Sequence, residues 1–195
     1  MPSSEKVLRL LAFGFATSCL SMAAIEADEG KPSRSSSSNP MVLEIEINRP
    51  TAGRRYRSPY VAVWLEDKDK FPVRTIALWL MKDRPGPRWH ADLRQWYKSD
   101  RVRMALDGDD LVDGMSGATR APGKYKVGWD GKGYNGKPLP VGTYTLYIEA
   151  VREHGTYQLI KQEMEIGDRP LKKALEGNEE IKAVEVTYEP VVTGS

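Results

Sequence analysis

After residue 40, apolar side chains recur mostly at every second position. Leu43, Ile45 and Ile47 alternate with Glu44 and Glu46, which predicts a strand with one face buried and the other in water. Tyr60 to Leu65 and Thr75 to Leu80 are apolar on both faces, as strands covered from two sides are. Tyr125, Val127 and Trp129 alternate again, followed by Tyr144, Leu146, Ile148 and Ala150, then Tyr157 to Ile166, then Val184, Val186 and Tyr188. About seven strands result. The apolar phase shifts between Leu159 and Ile160, which predicts a bulge or twist in that strand. One helical interruption stands out. From Arg88 to Tyr97, Trp89, Leu93 and Trp96 recur at spacings of four and three, after Pro85 and Pro87, and this predicts a short helix capping one end of the molecule with its Trp face inward.

Short strands, frequent turn signals and no long crossover helix define an all-β class, with two antiparallel sheets packed as a sandwich. The run Trp129-Asp130-Gly131, then Asn135-Gly136 and Gly142-Thr143-Tyr144 resembles the Ig-like domain of flagellar hook-capping proteins. That resemblance implies that Trp129 plugs the core, Asn135-Gly136 turns the chain and Gly142-Thr143-Tyr144 opens a strand. The expected fold is therefore an Ig-like antiparallel β-sandwich of about seven strands with one short helix. Asp130 and Asn135 are too few for a calcium loop, with no Glu closing it at the twelfth position, so turn chemistry is expected of them.

Upstream of the domain, Lys6 and Arg9 precede an apolar run from Leu10 to Leu20 and the small residues Ser21, Ala23 and Ala24. This reads as a secretory signal peptide over 1–24, too short for a transmembrane helix. Residues 25–40 are polar and Ser-rich, a flexible linker; the domain spans 41–190, with a tail over 191–195. No transmembrane segment is expected in the mature chain, which is read as periplasmic. Cys19, the only cysteine, lies within the signal and leaves no thiol, disulfide or Cys-based metal site after cleavage. A lipoprotein box is poorly matched, because Ala16 stands where Leu is usual. Loss of the signal lowers the formal charge from +2 to about +1, and a near-neutral chain gives no argument for nucleic acid.

Candidate chemistry centres on Asp113-Gly114-Met115-Ser116-Gly117-Ala118-Thr119. Gly114, Gly117 and Ala118 flank hydroxyls with almost no bulk, so the active site of a second protein can close around them. The same composition also reads as a surface turn, with Asp and Ser bonding their own backbone. An Asp, two spacers, Ser or Thr, then Gly-Ala-Thr resembles the site at which flavin transferases esterify FMN to threonine. The resemblance implies a phosphoester at Thr119, with Asp113, Ser116, Gly117 and Ala118 serving recognition by the transferase.

Over the mature chain, Arg88-Trp89, Asp92-Leu93, Trp96, the 113–120 segment, Pro122-Gly123-Lys124-Tyr125, Trp129-Asp130-Gly131 and Glu149 to Gln158 resemble the bacterial family called domain of unknown function 2271. Such proteins are encoded near PepSY-type membrane proteins and flavin transferases, which implies a periplasmic redox role with those partners. The expected function is electron transfer by covalently attached FMN; the alternative is a cofactor-free binding module. Trp89 and Trp96 are candidates to stack on the flavin ring. His154, Arg152 and Arg120 are candidate donors to its edge or phosphate, while His154 also reads as a turn residue and Arg120 also reads as facing water. With only His90 and His154 available, no hydrolytic triad can be assembled and a copper site is not expected.

Overall fold

The computed structural model describes residues 40–49, 56–83, 86–108, 115–153 and 155–190. The signal peptide, the linker up to residue 39, the tail, Pro85, Asp113, Gly114 and His154 lie outside the described residues.

Nine strands are described: β1 (Met41–Ile47), β2 (Tyr60–Glu66), β3 (Pro72–Trp79), β4 (Ser116–Gly117), β5 (Gly123–Trp129), β6 (Gly142–Val151), β7 (Tyr157–Ile166), β8 (Leu171–Glu176) and β9 (Ile181–Tyr188). They form two sheets, ordered β5-β1-β9-β8 and β4-β3-β2-β6-β7. Every pairing is antiparallel except β3 with β4. The expected strands are all present, and β8 and the two-residue β4 are added to them. Alternation sets the register of β1, where Met41, Leu43 and Ile45 oppose Trp129, Val127 and Tyr125 across β5. On the other face Glu44 pairs with Lys126 at 2.7 Å, an exposed contact of little energetic weight.

The main core lies between the sheets and takes Leu43, Ile45, Val61, Val63, Leu65, Leu146, Ile148, Val184 and Val186. A second cluster lies on the opposite face of the five-stranded sheet, formed by Tyr60, Ala62, Trp64, Leu78, Leu80, Leu93, Trp96 and Tyr147. This is why β2 is buried at every position. Trp64 stacks on Tyr147 with ring centroids 4.8 Å apart.

Three expectations need correction. The predicted helix is a 3-10 turn over Gly86–Asp92 followed by α1 (Arg94–Asp107), and it lies over the face of the second sheet rather than at an end of the sandwich. Leu93, at ψ 71°, breaks the helical path between them, so Trp89 and Trp96 do not share one continuous face. No side chain of α1 itself caps its N-terminus. Glu149, on β6 and fully buried, supplies the carboxylate instead, accepting from the backbone N–H of Gln95 at 2.9 Å and Trp96 at 2.7 Å. Burial pushes its pKa up, and those hydrogen bonds pull it back. Finally, of the bulge or twist expected in β7 the bulge is absent, because its pairing with β6 is unbroken from Gly142↔Ile166 to Val151↔Tyr157. Its phase shift arises because Leu159 packs under the helix layer while Ile160 packs between the sheets. The register shifts fall between β2 and β3 and between β1 and β9.

Tyr134 ties this helix layer to a loop. Its hydroxyl lies 2.7 Å from Thr75 Oγ1, which accepts from Trp96 Nε1 at 3.3 Å. Burial pushes the phenol to about 12. Between pH 10 and 12 the unfolded chain gives up a proton that the folded chain keeps, so stability falls as pH rises, by up to about 1.4 kcal/mol per pH unit. Urea midpoints measured from pH 9 to 11.5 should show this decline. Tyr134→Phe, weaker at neutral pH by about 1 kcal/mol for the lost hydrogen bond, should show a shallower one.

Candidate functional site

Ser116 and Gly117 pair in parallel with Leu78 and Trp79, and Gly117 O accepts from the Leu80 N–H at 2.9 Å. The middle of the candidate attachment motif thus extends a sheet edge, where an open loop was expected. Backbone pairing fixes the direction in which the chain leaves the sheet. Ala118 is exposed and Thr119 half-buried. A Cβ on Gly117 would meet Trp79 Cδ1 at 3.7 Å and Arg120 at 3.9 Å, ordinary contacts, so folding itself does not require glycine there.

Thr119 opens into a cleft of about 430 Å³, within the range of small-molecule sites. Tyr56, Arg57 and Ser58 form one wall, ahead of β2; Trp89 and Asp92 come from the 3-10 turn; Met81, Val151 and Glu153 complete it with Tyr60. Arg57 pairs with Glu153 across the rim. Tyr60 Oη donates to Gly86 O at 3.4 Å, and His90, largely buried, donates from Nε2 to Met81 O at 2.9 Å. These bonds brace the turn that presents Trp89, over whose ring the Arg88 guanidinium lies at 4.2 Å. Burial pushes the hydroxyls of Tyr56 and Tyr60 up in pKa, so both are neutral donors at pH 7. Among the described residues the Thr119 hydroxyl is held by no hydrogen bond. Among the described residues the cleft offers a hydroxyl nucleophile, an indole, phenolic donors, the Arg57 cation and the carboxylates of Asp92 and Glu153.

The other sequence candidates are placed elsewhere. Trp96 is 1% exposed and bonded to Thr75 and Glu149 under the helix, so it has no face left for a ligand. Arg120 is exposed, its guanidinium 5.6 Å from the Trp79 ring and 5.7 Å from that of Tyr125. Arg152, a candidate flavin donor, is committed instead to buried Glu180, its Nε 3.0 and 3.1 Å from the two carboxylate oxygens. Asp113 and His154 lie outside the described residues. Asp130 and Asn135 accept from the N–H groups of Lys132 and Lys137, the turn chemistry expected of them. Among the described residues no group of three or more His, Cys, Asp or Glu could hold a metal.

Sequence reading missed Tyr56, Arg57, Tyr60, Met81, Asp92 and Glu153. Tyr56-Arg57-Ser58 just ahead of a strand was a usable signal, an aromatic-cation pair outside the alternation. Its partner Glu153 lies 96 residues away.

A β-sandwich with a helix layer on one face and a small cleft presenting an unengaged threonine hydroxyl is the class that fold and site define. The family model described as predicted periplasmic protein (DUF2271) matches residues 41–183. The chain belongs to that family, and its compartment is the periplasm. No curated protein and no solved structure matches it. Among the described residues no helix is long and apolar enough to cross a membrane.

Proposed function

We propose that this protein is a periplasmic electron carrier holding FMN through a phosphoester on Thr119, loaded by a flavin transferase and exchanging electrons with a membrane PepSY-type partner. One observation carries the reading: Thr119 and Trp89, singled out for different reasons, line the same cleft. The residues present fit a flavin. Trp89 is half-buried on the cleft wall, and a flat ring can stack on it where the Arg88 guanidinium lies 4.2 Å from the ring centroid; the volume suits a tricyclic ligand, and Arg57 supplies positive charge beside the neutral phenol of Tyr60 and the carboxylates of Asp92 and Glu153. When bound, the flavin supplies reversible electron uptake. The protein orients it, partly excludes water, and offsets negative charge gained on reduction. Arg57 does this at the cost of loosening its pair with Glu153.

A second reading, a cofactor-free interaction module, is favoured by the sheet pairing of Ser116 and Gly117, which gives part of the motif a structural role.

The test is coexpression with a periplasmic flavin transferase, read by intact mass after denaturation. The carrier reading expects a mass increase of one FMN less one water, as a phosphoester requires; no increase, beside a transferase shown to label another substrate, replaces it with the interaction module. In the loaded protein, Trp89→Ala should leave the mass increase intact and raise flavin emission, because a stacked indole quenches it. Unchanged emission would remove Trp89 from the site.

A further inference from the structure

We propose that the outer face of α1 is a docking surface for an anionic phospholipid bilayer, independently of whether the cleft holds a flavin. Beyond Tyr97 the helix is amphipathic in reverse. Its polar residues Ser99, Asp100 and Arg103 are buried against the sheet, whereas Val102 and Leu106 are 47% and 71% exposed, with Tyr97 and Met104 also outside. Arg94, Lys98 and Arg101 recur at spacings of four and three, which places them in one stripe. Val102 and Leu106 flank it on one side, Tyr97 and Met104 on the other. Lys98 also meets Lys70 and Lys161 around a cavity of about 330 Å³ beside the helix.

Among the described residues, three carboxylates near this face are turned inward. Asp100 binds Arg103 at 2.9 Å, Glu66 accepts from Trp64 Nε1 and from the Ser99 hydroxyl, and Glu149 caps the helix. Asp69 is occupied by Lys68 at 2.6 Å, Asp107 lies 4.0 Å from the Arg103 guanidinium, and Glu163 is exposed on β7 two positions from Lys161. Among the described residues Lys70, Arg94, Lys98, Arg101 and Lys161 enter no ion pair. The chain as a whole is nearly neutral, so this concentration of cations is local. The face is open and shallow, and its mixed chemistry selects the occupant. A row of cations between exposed apolar side chains suits a flat layer of phosphates over an acyl boundary.

Flotation of the purified mature protein with vesicles tests the surface. Wild type should float with phosphatidylcholine-phosphatidylglycerol vesicles, not with phosphatidylcholine alone, and should be released by salt. Lys98→Glu with Arg101→Glu should weaken binding at least about 25-fold, taking roughly five-fold per lost cation, at an unchanged melting temperature. Leu106→Ser should weaken it with the same salt slope. Equal binding to neutral vesicles, absence of binding to anionic ones, or retention by the folded double variant overturns the proposal; the second outcome leaves an acidic protein as the occupant.

Discussion

Thr119→Ala is expected to abolish covalent flavin labelling and to leave the fold intact. The hydroxyl is the acceptor the motif presents, and no hydrogen bond among the described residues depends on it, so its removal costs chemistry and little stability. Labelling should fall below detection on a denaturing fluorescent gel, with a urea midpoint within about 0.5 kcal/mol of wild type, as for substitutions that break no named interaction. Ser116→Ala should lower labelling without removing it, and Asp113→Ala should do the same if the transferase reads the motif. Gly117→Ala discriminates further. Its added methyl fits the fold at ordinary contact distance, so a loss of labelling there reports steric recognition by the transferase. A Thr119→Ala protein labelled as well as wild type would move the attachment elsewhere and end the carrier reading in its present form.

Trp129→Ala should destabilise the domain by about 3–5 kcal/mol, the range for deleting a buried aromatic. The side chain is 2% exposed among the residues of the inter-sheet core, lies across from Met41, and donates from Nε1 to Lys132 O at 2.8 Å. Its loss leaves a cavity and an unsatisfied carbonyl together. Trp129→Phe keeps much of the volume but not the donor, and should fall between the two. Denaturant midpoints at equal slopes check both. Coincident midpoints for wild type and the Ala variant would place Trp129 outside the core.

Much of the fold was legible because burial in a sandwich imprints a period of two. Leu43, Ile45 and Ile47 announced β1, and the unbroken apolar runs of β2 and β3 announced cover on both faces, which the helix layer provides. The helix itself was legible only to Tyr97. Beyond that point it buries Arg103 and Asp100 as a pair and exposes Val102 and Leu106, the opposite of the pattern by which amphipathic helices are recognised. Strand β8 was hidden for a related reason. At the edge of its sheet it buries only Leu175, too little for alternation to register.

Local pattern alone determined seven of the nine described strands and their core-facing residues, because these follow from side chains a few positions apart meeting water or not. The Trp129 plug and the threonine worth testing came from the resemblance of short motifs to known ones. The cleft required the tertiary structure. Arg57, Trp89, Thr119 and Glu153 lie in four separate stretches, and what joins them is the pairing of β2 with β6, the seating of β4 on β3 and the bracing of the 3-10 turn by Tyr60 and His90. No periodicity encodes such a meeting, because it depends on how distant backbones register with one another rather than on what each residue's neighbours are.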